Sequence, residues 1–95
     1  MPEMRFRVRW PDESVSSCYS PSLVVKEFLA VGRSYPVADF VGRSRQALTI
    51  ASDRVRQKYG FACTGAAQQL EEIEHAAARF ASQPAARVTV EGFDE

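Results

Sequence analysis

Met4-Arg5-Phe6-Arg7-Val8-Arg9-Trp10 alternates apolar and basic side chains without a break. In an extended chain successive side chains point to opposite faces, so Met4, Phe6, Val8 and Trp10 share one face and Arg5, Arg7 and Arg9 share the other. Aromatic and branched residues at a period of two predict a half-buried strand. Pro11-Asp12-Glu13 breaks the run with turn chemistry, and Val15 to Ser20 resumes in extended style with Val15, Ser17 and Tyr19 on one side. The two runs read as a β-hairpin.

Working outward from the hairpin, Ser20-Pro21-Ser22 is a helix-start signal, a hydroxyl cap followed by Pro. It predicts a short helix with Leu23, Val24, Phe28 and Leu29 inward and Gly32 as its stop, although Val24-Val25 also suits a strand. Pro36 marks a second helix start, with Asp39 in the first turn. Phe40, Ser44, Leu48, Ala51, Val55 and Tyr59 then recur at helical steps until Gly60. Phe61-Ala62 reads as a buried joint. Cys63-Thr64-Gly65 opens a third helix capped by Thr64, with a stripe of Ala66, Leu70, Ile73, Ala77 and Phe80, ended by Ser82-Gln83-Pro84. Arg87 to Glu91 alternates again around Val88 and Val90 and predicts a third strand, with Phe93 tucked behind it. The expected fold is α+β: a three-stranded antiparallel sheet with three helices packed on one face, in the order β-β-α-α-α-β, as one domain over residues 1–95.

Composition bounds what such a chain does. Its 95 residues are 45% hydrophobic and 11% aromatic, enough for one modest core and unlike a disordered chain. Twelve basic and twelve acidic residues cancel, whereas a dedicated nucleic-acid binder usually carries a basic excess. The first residues lack the apolar run of a signal peptide, and no stretch approaches the length of a membrane span. A cytoplasmic protein is therefore expected, with Cys18 and Cys63 as thiols.

Four features could carry chemistry. Cys63 stands at a helix start, where the dipole can favour a thiolate, which makes it the best reactive candidate with Cys18 as a resolving partner. The competing reading makes both cysteines small buried hydrophobes. The single histidine, His75, has Glu71 and Arg79 one turn away on either side and reads as a solvated helical residue. Arg5, Arg7 and Arg9, with Trp10, form the most unusual surface, able to meet phosphates, carboxylates or an acidic partner. Alternatively it is a solvated face balanced across the ladder by residues such as Glu91. Arg54, Arg56 and Lys58 suit the last turn of their helix. No metal-ligand spacing, phosphate loop or nucleophile elbow occurs, so neither cofactor nor metal is expected, and the chain reads as non-catalytic.

Several segments together resemble a family. Arg5-Phe6-Arg7-Val8-Arg9-Trp10-Pro11-Asp12, then Cys18-Tyr19-Ser20-Pro21-Ser22, the block Ala51 to Cys63, and Val88-Thr89-Val90-Glu91 are similar to a small bacterial family of nitrogen starvation response proteins. The resemblance spans nearly the whole chain. It implies an accessory or regulatory member of a nitrogen-scavenging cluster that also encodes a nitrilase-type hydrolase, a radical S-adenosylmethionine protein, an acetyltransferase and a flavoprotein. The expected partner is one of those enzymes or a second copy, with no membrane, and the cancelled charge weighs against nucleic acid. The alternatives are a thiol-dependent protein using Cys63 and Cys18, and a nucleic-acid-binding regulator using Arg5, Arg7 and Arg9. One departure stands out: members often carry Gly after the turn Asp, where this chain has Glu13.

Overall fold

The structure, a computed structural model, describes residues 2–83 and 85–95. β1 (Met4–Arg9) and β2 (Val15–Ser20) form the hairpin, with Met4 opposite Ser20 and Arg9 opposite Val15. The Glu13 amide donates back to the Trp10 carbonyl at 2.9 Å, and Asp12 Oδ1 accepts from the Ser14 amide at 3.0 Å. Glu13 closes the turn at φ 74°, the left-handed region that the family resemblance fills with Gly. An L side chain there costs roughly 1–2 kcal/mol, while Gly forfeits part of that through unfolded-chain entropy. The Arg9–Glu13 pair at 3.3 Å is exposed and offsets little. Glu13→Gly is expected to stabilise the protein by about 0.5–1 kcal/mol, read as a raised urea midpoint at unchanged slope.

The first predicted helix is corrected to a single 3₁₀ turn, Leu23–Glu27. Ser22 caps it by accepting from the Val24 amide at 3.3 Å, but Val24 and Val25 are β-branched and both point into the core. A nucleus this short, with stiff side chains, gains too few hydrogen bonds to propagate. The chain then enters a strand that the sequence reading missed, β3 (Ser34–Pro36). Three residues ending in Pro give no periodicity to detect, and Pro is tolerated because β3 is an edge strand.

α1 (Val37–Tyr59) follows Pro36 directly and ends on Gly60 at φ 83°, whose amide donates to the Arg56 carbonyl at 2.7 Å. α2 (Thr64–Ala78) has Cys63 in the capping position, with no side-chain cap, so Thr64 is the first helical residue and not the cap. The role assigned to Pro84 lies outside the described residues. The last strand, β4 (Arg87–Asp94), runs three residues beyond the predicted Glu91. Arg7 pairs with Gly92 and Val8 with Val90, which leaves Glu91 as the extra residue of a bulge. That extra residue breaks the period of two and hides the strand's second half from a pattern reading.

The sheet is therefore four-stranded and antiparallel, in the order β2-β1-β4-β3, with two α-helices instead of three strands and three helices; the α+β class stands. Met4, Phe6, Val8 and Trp10 pack with Val88 and Val90 against Phe40, Ala47 and Leu48 of α1 and Ala66, Ile73 and Ala77 of α2. The opposite sheet face, with Arg5, Arg7 and Arg9, faces solvent.

Candidate functional site

The arginine row is largely matched by carboxylates on the same sheet face. Arg9 Nε donates to Glu91 Oε1 at 2.7 Å, and Arg7 Nε donates to Asp94 Oδ2 at 3.0 Å. The bulge turns Glu91 toward Arg9, and Gly92 leaves room for the Arg7 guanidinium to lie across the strand where a Cβ would collide with it. Arg5 differs. Its guanidinium donates to the Ser17 carbonyl at 3.3 Å and lies 6.0 Å from the Tyr19 ring centre, and no described carboxylate pairs with it. Trp10 does not join this surface. It is buried in the core and its Nε1 donates to Ser16 Oγ at 2.9 Å, which corrects its place among the binding residues. With Trp10 enclosed and Arg7 and Arg9 paired, Arg5 and the Tyr19 ring are the cation and aromatic group that this face leaves without such partners.

The two cysteines separate by environment. Cys18 points into the core beside Phe6, and burial, then the Glu72 carboxylate, push its thiol from the ordinary 9.0 up to about 12. A resolving role would require the core to open. Cys63 is half-buried, and its amide donates to Ser52 Oγ at 3.3 Å. Because the raised Cys18 value keeps the folded thiol neutral, its contribution to stability is complete below about pH 9 and is lost as pH rises toward 12. Between pH 8 and 10 the loss is expected to be roughly 1 kcal/mol, and Cys18→Ala should flatten that slope in urea titrations under reducing conditions.

Tyr19 lies at the junction of β2 and α2. Its amide donates to Gln69 Oε1 at 2.9 Å, so a helix side chain satisfies the free edge of the sheet. A Cβ on Gly65 would stand 3.2 Å from the Tyr19 ring and 3.6 Å from Cys63 Sγ, which places ring, thiol and helix start together. Burial, then neighbouring Cys63 and Glu3, push the Tyr19 phenol up to about 12. Arg5, Ser17, Tyr19, Gln68, Gln69 and Glu72 surround a hollow of about 290 Å³ here. Gln69 escaped the sequence reading, which placed Leu70 on the inward stripe. The signal was present: position 69 lies three residues after Ala66 and four before Ile73, an inward step occupied by an amide.

A second feature sits at the tip of the helical hairpin. Phe61 is 67% exposed and Tyr59 53%, with their ring centres 6.5 Å apart and the Lys58 ammonium 5.5 Å from the Tyr59 ring. The buried joint expected at Phe61-Ala62 is thus an exposed aromatic tip; Gly60 turns the chain outward there. His75 is exposed on α2, in a shallow hollow with Glu71, Glu72 and Arg79. Among the described residues there is no cluster of three or more potential metal ligands, and no helix long and apolar enough to cross a membrane.

These features define a small α+β protein whose four-stranded antiparallel sheet carries its helices on one side. Residues 5–93 match the family model for nitrogen starvation-induced protein NitG, and the chain belongs to that family. Neither the search of curated proteins nor the search of solved structures returned a match.

Proposed function

We propose that this protein is a non-catalytic accessory or regulatory component of the bacterial nitrogen-starvation response, working in the cytoplasm by contact with another protein. The observation that carries the reading is the aromatic tip at Tyr59 and Phe61. Phe40, Phe80 and Trp10 are all buried, so two adjacent exposed rings on a capped helix end are an exception that calls for a partner. Aromatic residues beside a cation are the composition that concentrates binding energy at protein interfaces. An enzyme of the nitrogen-scavenging cluster is the partner of first choice. The arginine face, its charges mostly paired internally, is a secondary surface.

The test is affinity capture from the native host under nitrogen limitation, comparing the natural chain with a Tyr59→Ser/Phe61→Ser variant. Recovery of a cluster enzyme by the natural chain and its loss in the variant is the expected result. Equal recovery by both would remove the tip from the account.

A further inference from the structure

Two opposite charges without ion-pair partners face the same hollow between β2 and α2. Arg5 uses one guanidinium nitrogen on the Ser17 carbonyl and keeps the others, while Glu72 forms no ion pair among the described residues. Both line the 290 Å³ hollow, yet they do not close on each other. Elsewhere on this surface opposite charges do meet: Arg7 with Asp94, Arg45 with Glu74, Arg79 with Asp12. A cation and a carboxylate held apart across a cleft leave room for a ligand carrying both complementary charges.

Gln69 supplies an independent observation. It is nine-tenths buried, its Oε1 is committed to the Tyr19 amide, and its Nε2 has no acceptor among the described residues. The amide nitrogen is open to the hollow and free to donate to a ligand there, since Ser44 Oγ is the one enclosed side-chain polar atom without a partner among the described residues. The Tyr19 ring, pressed against the helix at Gly65, forms an apolar wall, and the adjoining hollow of about 230 Å³ runs along Ser16 and Ile73. Both charges also act on the thiol beneath: Glu72 raises the Cys18 value and Arg5 lowers it.

We propose that this groove binds a small zwitterion, an α-amino acid, with its carboxylate on Arg5 and the Gln69 amide and its ammonium on Glu72. Guanidinium geometry suits a carboxylate, and the volume lies at the low end for ligand pockets, which fits a molecule of this size. The adjoining hollow receives the side chain, and its Ser16 hydroxyl and Ile73 favour a small or neutral polar one. The proposal does not depend on a partner at the hairpin tip.

The experiment is calorimetric titration of the full chain with L-alanine and L-glutamine, alongside propionate, which lacks the ammonium, and ethylamine, which lacks the carboxylate. Amide spectra of the same samples report on Tyr19 and the Gln69 side chain. At least one amino acid is expected to bind and shift those signals, with propionate and ethylamine each weaker by roughly tenfold or more. Arg5→Gln and Glu72→Gln, both exposed positions, should each weaken binding by a similar factor while their spectra remain those of a folded chain. No heat and no shifts at millimolar amino acid would overturn the proposal. So would propionate binding as tightly as alanine, or binding unchanged by Arg5→Gln in a folded variant.

Discussion

Replacing Trp10 with alanine is expected to cost about 3–5 kcal/mol, the range for deleting a fully buried large aromatic. The indole is buried at the end of β1, edge-on to Phe40 at 5.5 Å and stacked on Phe80 at 6.1 Å. It therefore joins the hairpin to the ends of both helices. Its Nε1 bond to Ser16 Oγ adds a polar anchor whose loss leaves the serine hydroxyl without that donor. A chain this small has roughly 5–15 kcal/mol of total stability, so the variant should lie near the edge of folding. At roughly 4–8 °C per kcal/mol, the melting temperature should drop by at least about 12 °C. Trp10→Phe keeps the stacking and loses the hydrogen bond and some volume, for an expected cost of about 1–2 kcal/mol. A Trp10→Ala variant melting within a few degrees of the natural chain would show that Phe40 and Phe80 can close the gap.

The same residue shows what the sequence made legible. Alternation from Met4 to Trp10 assigned both faces of β1 correctly, because one strand with one buried side carries its own signal. α1 was equally readable, since six turns repeat an apolar stripe and Gly60 marks its end. The failures share a cause: each feature depends on a partner distant in the chain. β3 exists because β4 lies beside it, with Ser34 opposite Thr89 and Pro36 opposite Arg87, and three residues alone encode no period. The second half of β4 was lost to a bulge at Glu91 that only the pairing with Arg7 and Val8 reveals. The candidate groove was hidden for the same reason. Arg5, Tyr19, Gln69 and Glu72 are spread over nearly seventy positions, and only Arg5 drew attention by composition. Phe61 misled in the opposite sense. Its apolar character suggested a joint inside the core, whereas Gly60 in the left-handed region carries the chain away from it.

Tyr59→Ser/Phe61→Ser should separate partner binding from folding more cleanly than any core change. The two rings touch each other and the Lys58 ammonium and stand outside the buried cluster, so their removal takes little from the core. Exposed substitutions of this kind usually fall within about 0.5 kcal/mol of neutral, so the melting temperature should hardly move. Partner capture should respond strongly, because an interface anchored by two aromatic residues concentrates its energy in them. Losing about 2 kcal/mol or more at such an anchor weakens binding by roughly thirtyfold. Reversing Arg5, Arg7 and Arg9 to Glu provides the opposing case. Arg7 and Arg9 meet carboxylates on their own sheet, so the reversal disturbs Glu91 and Asp94 and is expected to leave capture within a few-fold of the natural chain. If charge reversal abolished capture while the serine variant retained it, the contact would lie on the sheet face. The aromatic tip would then need another explanation for its exposure.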